Sequence, residues 1–150
     1  MSGQVDLQRL ADERELFRAM TRYARALDAR DWPQLDTVFA ANAIAIYGED
    51  APRLEREAIV KSIRGYLDGC GPSQHLLGNF VADVVGDSAT SRTYARVYHR
   101  GRADWAHLSL ETIGEYVVRW ERRTEGWRAV HWELKISANV GDASIFGPQA

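Results

Sequence analysis

Cysteine is almost missing from this chain: its 150 residues hold one, Cys70. A single thiol cannot close an internal disulfide or anchor a cysteine-based zinc site, and the lack of bridges suits a reducing cytoplasm. An excess of positive charge is missing too. Nineteen Lys and Arg stand against 21 Asp and Glu, for a formal net charge of -2, and Arg122–Arg123 is the only adjacent basic pair. With no basic stripe to neutralise a phosphate backbone or an anionic bilayer, neither nucleic acid nor membrane is expected as a partner. No apolar run nears the ~20 residues that a membrane-crossing helix needs. The opening MSGQVDLQRLADERE is polar and helical, without the apolar segment of a signal peptide. Repeats, low-complexity segments, a phosphate-cradling glycine loop and a dinucleotide fingerprint are all absent, so no cofactor is expected.

Hydrophobic residues at 45% and charged residues at 27% describe an ordinary soluble globular chain. Its length fits one domain over residues 1–150, with a core at about 7–138 and a tail at 139–150. Leu7, Leu10, Leu16, Phe17, Met20, Tyr23, Ala24 and Leu27 recur at steps of three and four, which predicts an amphipathic helix. Asp31 is placed to cap a short helix with Pro33 in its first turn and Leu35, Val38 and Phe39 turned inward. NAIAIYG alternates as a strand, and LEREAIVKSIRGYLDG returns to helix, ended by Gly69 and Gly71.

Beyond that point the period changes to two. QHLLGNFVADVV, a GD turn and SATSRTYARVYHR predict one hairpin. ETIGEYVVRWERR, a TEG turn and WRAVHWELKISANV predict a second. The tail GDASIFGPQA reads as a loop on the surface. Helices first and antiparallel strands after give an α+β class, helices covering one face of a strongly curved sheet. Trp120, Trp127, Trp132 and Tyr116 alternate in strands, as core or subunit-contact residues.

Periodicity also selects the polar residues that face inward. Ala95, Val97 and His99 share one face of their strand, against Tyr94, Arg96 and Tyr98 on the other. Tyr47 shares a small-residue face with Ala43 and Ala45, and His75 opens the first long strand. Asp28 sits late in the first helix, where the helix dipole disfavours an anion, so it is either the solvated edge of that helix or a carboxylate kept for a purpose. A carboxylate beside a histidine fixes the ring tautomer and makes it a competent base, and tyrosine hydroxyls in the same pocket polarise a carbonyl oxygen. His75, His99 and His131 have no short ligand spacing, so no metal site is expected. Ser73 lacks a nucleophile-elbow context and reads as a loop hydroxyl.

The order RYARALDARDWPQLDTVFAANAIAIYG, SQHLLGN, GDSATSRTYARVYHR and GEYVVRWERRTEGWRAVH resembles the SnoaL-like domain of the nuclear-transport-factor-like superfamily, over roughly residues 7–138. That resemblance implies a cone-shaped α+β barrel. Its catalytic pattern is most similar to scytalone dehydratase, which implies Asp28, His75, His99 and Tyr47 as catalytic residues. In that pattern His75 is the base and Asp28 stands behind its imidazole. Leu27, Val97, Tyr116 and His131 are implied as substrate-pocket residues, the parity of His131 being ambiguous. Two positions depart from the pattern: Leu27 replaces a pocket tyrosine, and Tyr116 replaces an asparagine. The implied activity is that of a cofactor-independent lyase or isomerase acting on a small apolar cyclic molecule such as a polyketide, steroid or terpenoid. The implied assembly is a homo-oligomer, dimer or trimer. A non-catalytic binding module and the small subunit of a ring-hydroxylating dioxygenase are the alternatives on this fold.

Overall fold

A computed structural model describes residues 2–147, and side chains from Asp6 onward. Helix α1 (Ser2–Ala29) leads into a 3-10 turn at Trp32–Thr37. Then come strand β1 (Phe39–Tyr47), the two-residue strand β2 (Leu54–Glu55) and helix α2 (Arg56–Leu67). Strands β3 (Ser73–Val85), β4 (Ser88–Arg100), β5 (Ser109–Arg123) and β6 (Gly126–Gly141) complete the sheet, and a 3-10 turn at Ala143–Phe146 follows.

The strands lie in the order β2-β1-β6-β5-β4-β3. Two long hairpins, β3–β4 and β5–β6, form where the alternation predicts them, and the only parallel pair among the described residues is β1 with β6. The class is α+β, with the helices on the concave side of a strongly curved, mixed sheet that is mainly antiparallel. Trp120, Trp127, Trp132 and Tyr116 form the centre of the core, each at most 1% exposed. Tyr23 of α1 docks on Trp132 with ring centroids 4.3 Å apart. Aromatic groups of this size each remove roughly 150–250 Å² from water, so this stack is what seats α1 on the sheet.

The structure redraws four details. First, the apolar residues of α1 split into two stripes. Leu16, Ala19, Met20, Tyr23, Ala26 and Leu27 are buried, whereas Leu7, Leu10 and Phe17 are exposed. At about 100° per residue, the second set lies more than a quarter turn from the first. Second, Asp31 occupies the cap position, yet its side chain makes no capping bond. Third, Leu54 and Glu55 pair with Ala45 and Ile44 of β1, so α2 begins only at Arg56. Fourth, the tail is not a surface loop. Strand β6 runs through 139–141, Ile145 is 2% exposed, and Phe146 packs edge-on against Tyr66 of α2. Residues 148–150 of that tail lie outside the described residues.

Strand β6 carries two register shifts. Arg119 pairs with His131 while Trp120 pairs with Ala129, and Ile113 pairs with Ala138 while Gly114 pairs with Ile136. Each shift puts one extra residue in β6 and reverses which of its side chains face inward. Trp127 and Ala129 are buried before the first shift, Trp132 and Leu134 after it.

Candidate active site

A cavity of about 350 Å³ opens between the concave face of the sheet, α1, α2 and the C-terminal turn. That is the lower end of the range for small-molecule sites. Its floor is one rung across four strands: His75 pairs with Val97, Val97 with Thr112, and Thr112 with Asn139. Residues opposite one another in such a ladder point to the same side, so register alone delivers these four side chains to the cavity. One rung on, Ser73, His99 and Leu110 are aligned in the same way.

His75 stands between the cavity and α1. Its ring Nδ1 lies 2.7 Å from Asp28 Oδ1, its backbone N–H donates to Asp28 Oδ2 at 2.9 Å, and the Ser73 hydroxyl donates to Asp28 Oδ1 at 3.0 Å. Burial pushes the Asp28 carboxyl up, but the bonds from the His75 ring, the His75 amide and Ser73 outweigh it, and the group titrates below its ordinary value. Asp28 is therefore an acceptor-only carboxylate near neutral pH, and the proton between the two residues belongs to Nδ1 of His75. In the neutral tautomer that this contact selects, Nε2 is the nitrogen with the free lone pair. Asp28 itself does not line the cavity and lies behind His75.

His99 is buried on β4, its ring centroid 6.2 Å from that of His75. Burial, reinforced by the neighbouring His75, lowers its pKa to about 4, so it is neutral at physiological pH. Its Nδ1 has no hydrogen-bond partner among the described residues. Tyr47, at the end of β1, meets Tyr23 of α1 hydroxyl to hydroxyl at 3.1 Å. Burial raises the pKa of both phenols, which keeps them protonated and able to donate. Burial raises that of Tyr116 in the same way; its ring lies edge-on to Tyr23.

Leu27, Val97 and Tyr116 line the cavity with His75, His99 and Tyr47. His131 does not. It pairs with Arg119 and Ile44, on the opposite face of β6 from Trp132 and Leu134. The extra residue in β6 just before it turns it outward, and that is the parity the sequence leaves ambiguous.

Several site residues escape the sequence reading. Tyr23 reads there only as part of an apolar stripe, although it sits four residues before Leu27 and so on the same helical face. Its hydroxyl brings a second pocket tyrosine from one turn earlier. Asn139, with Thr112 donating to its Oδ1 at 2.8 Å, reaches the cavity because of the second register shift in β6. Phe146 roofs the cavity and packs edge-on over His99 at 5.0 Å. Among the described residues, no group of three His, Cys, Asp or Glu is placed to hold a metal ion, and no helix is long and apolar enough to cross a membrane.

Comparison with known proteins places this architecture. The family model described as "SnoaL-like domain" matches residues 8–133. No curated protein matches. Among solved structures, Kfla4162 from Kribbella flavida superposes with a TM-score of 0.83 at 18% identity, over 92% of this chain and 98% of that one. A Novosphingobium aromaticivorans protein provisionally assigned as a scytalone dehydratase gives 0.77 at 20% identity, over 88% of each chain. The hexachlorocyclohexane dehydrochlorinase LinA-type3 from Novosphingobium barchaimii gives 0.79 at 16% identity, over 97% of each. At such identities the likeness is one of fold.

Proposed function

The chain belongs to the SnoaL-like domain family, and from that premise we propose that it is a cofactor-independent lyase or isomerase. Its reaction starts with removal of a proton next to a carbonyl in a small, mostly apolar cyclic molecule. The observation that carries this reading is the His75 ring, backed on Nδ1 by the Asp28 carboxylate and lining the cavity. A binding module needs only the apolar walls. It has no use for an ionised carboxylate behind a histidine.

In the proposed step Nε2 of His75 takes the proton, and the C–H electron pair becomes a carbon–carbon double bond as charge moves to the carbonyl oxygen. The Tyr23–Tyr47 hydroxyl pair faces that oxygen, and the one phenolic proton not used between the two stabilises the developing enolate by donation to it. Asp28 stabilises the imidazolium that forms. In a dehydration, the carbon–oxygen bond to a β-hydroxyl then breaks. Neutral His99 hydrogen-bonds the departing oxygen, and the proton on His75 completes a water molecule. In an isomerisation His75 returns the same proton to another carbon. General-base help of this kind contributes roughly 10²- to 10⁴-fold. A polyketide, steroid or terpenoid skeleton suits the apolar walls of Leu27, Val97, Leu134 and Ile136, and a homo-oligomer is the proposed assembly.

The test is deuterium uptake, followed by proton NMR in D₂O, at the α carbon of small cyclic ketones such as cyclohexanone and 2-tetralone. The protein should accelerate uptake into at least one ketone, and His75→Ala and Asp28→Asn should lose at least 100-fold while keeping the wild-type circular dichroism spectrum. Uptake no faster than with His75→Ala across the set would overturn the proposal.

A further inference from the structure

Arg30 has a backbone conformation and a set of partners that packing alone does not require. Its φ is 59°, a left-handed conformation that is strained for a residue other than glycine. From there its guanidinium folds back beneath the end of α1. Nη1 donates to Leu27 O at 2.7 Å and to Ser73 Oγ at 2.8 Å; Nη2 donates to Gly71 O at 2.8 Å and lies 3.5 Å from Cys70 Sγ. The side chain thus ties the last turn of α1 to the segment that leads into β3, the two elements that carry Asp28 and His75.

The direction of these bonds matters more than their number. A guanidinium can only donate, so the Ser73 oxygen that receives Nη1 acts there as an acceptor. The Ser73 proton is then left for its other neighbour, Asp28 Oδ1 at 3.0 Å. Asp28 Oδ1 also receives His75 Nδ1, and Oδ2 receives the His75 amide. Both carboxylate oxygens are pinned, and the chain Arg30 to Ser73 to Asp28 has one possible polarity. A carboxylate in the last turn of a helix faces the unfavourable end of the helix dipole. This chain brings a cation to within one hydroxyl of it.

We infer that Arg30 and Ser73 are positioning residues for the Asp28–His75 pair. Arg30 orients the Ser73 hydroxyl toward Asp28, and that hydroxyl holds the carboxylate in line with the imidazole. The inference rests on the catalytic reading of the pair given above, but its geometry can be tested without any substrate.

The experiment compares wild type with Ser73→Ala, Ser73→Thr and Arg30→Met, using protein labelled with ¹³C at the aspartate carboxyl carbons. The Asp28 resonance is assigned by its loss in Asp28→Asn. In Ser73→Ala and in Arg30→Met the Asp28 carboxyl should titrate at higher pH than in wild type, because a donor is lost or released, and Ser73→Thr should restore the wild-type midpoint. Deuterium uptake into the responsive ketone should fall roughly 10- to 100-fold in the same two variants, mainly in kcat, as expected when a supporting group is lost. An unchanged Asp28 midpoint in both folded variants would overturn the inference. If Arg30→Met does not fold, the Ser73 pair decides alone. If the midpoints move as stated but the wild-type protein exchanges no ketone, the catalytic reading falls and the positioning chain stands.

Discussion

Tyr23 and Tyr47 meet hydroxyl to hydroxyl at 3.1 Å, one from the C-terminal third of α1 and the other from the end of β1. Either oxygen can donate to the other, so one phenolic proton is left for a carbonyl oxygen placed beside the pair. Tyr23→Phe and Tyr47→Phe should each slow deuterium uptake roughly 100- to 1,000-fold, in the range seen when one donor to a developing oxyanion is lost. The double variant should lose less than the product of the single losses, since the two hydroxyls act as one unit. Multiplicative losses would show two independent contacts.

His99 makes stability depend on pH with a definite sign. Its pKa is lowered from 6.5 to about 4 in the folded protein, so the unfolded chain binds that proton more readily. Its contribution is complete above pH 6.5 and is lost as pH falls toward 4, by on the order of 3 kcal/mol over that interval. His99→Phe removes the titrating group and the unpartnered Nδ1 together. Urea unfolding at pH 7 and at pH 4.5 should therefore show the variant gaining on wild type as the solution is acidified. A constant difference between the two proteins would contradict this.

The roof over His99 can be lifted from a distance. A Cβ on Gly69 would stand 2.5 Å from the carbonyl oxygen of Phe146, a contact that backbone cannot relieve without moving. Gly69→Ala should displace the C-terminal turn, raising KM for the responsive ketone with kcat less affected. Ile145→Ala, which truncates the buried anchor of the same turn, should lower stability by about 2–4 kcal/mol. Unchanged KM in Gly69→Ala would mean that the turn does not contribute to binding.

At the far end of α1, Asp12 is buried and accepts both guanidinium nitrogens of Arg122, at 2.8 and 2.9 Å, together with the indole N–H of Trp127 at 3.1 Å. The Arg122 bonds, with help from Trp127, hold its carboxyl below the ordinary value despite burial. Arg122→Met strands that charge and should destabilise the protein by roughly 3 kcal/mol, as read by urea unfolding at pH 7. Uptake per folded molecule should stay at the wild-type rate, because the cluster is remote from His75.

The two faces of β6 provide a further check. His131→Ala should leave deuterium uptake unchanged. Asn139→Leu should alter KM, because its amide lies on the cavity rung while His131 lies outside it. The reverse pattern would put His131, and not Asn139, against the ligand.

What could be read from sequence was whatever repeats. Alternation over 88–100 put Ala95, Val97 and His99 on one face, and the GD turn located the hairpin before it. Helical spacing brought Leu16, Met20, Tyr23 and Leu27 to the core side. What escaped depends on single residues that break a period. One extra residue in β6 turned His131 outward, and another brought Asn139 in. Tyr23 hid its function behind its hydrophobicity, since the same ring serves the core and its hydroxyl the cavity. Ile145 and Phe146 are too short a pair to form a pattern among Gly, Ser and Asp. Arg30 gave no local sign at all. What sets it apart is a left-handed backbone and, besides Leu27, partners 40 to 43 positions away.

The two extra residues of β6 also bear on how relatives of this protein should be compared. A strand with such shifts behaves like a screw thread that changes hand twice: Trp127 engages the core in its first segment, Trp132 in its second, and the Asn139 amide engages the cavity in its third. Two chains can therefore match residue for residue along this strand, with no gap, and still present opposite faces to a ligand if their shifts fall one step apart. Pocket composition in this fold is better inherited rung by rung from β4 and β5, which pair without a shift, and from the start of β3, ahead of its own shift between Gly78 and Val81, than by counting along the last strand.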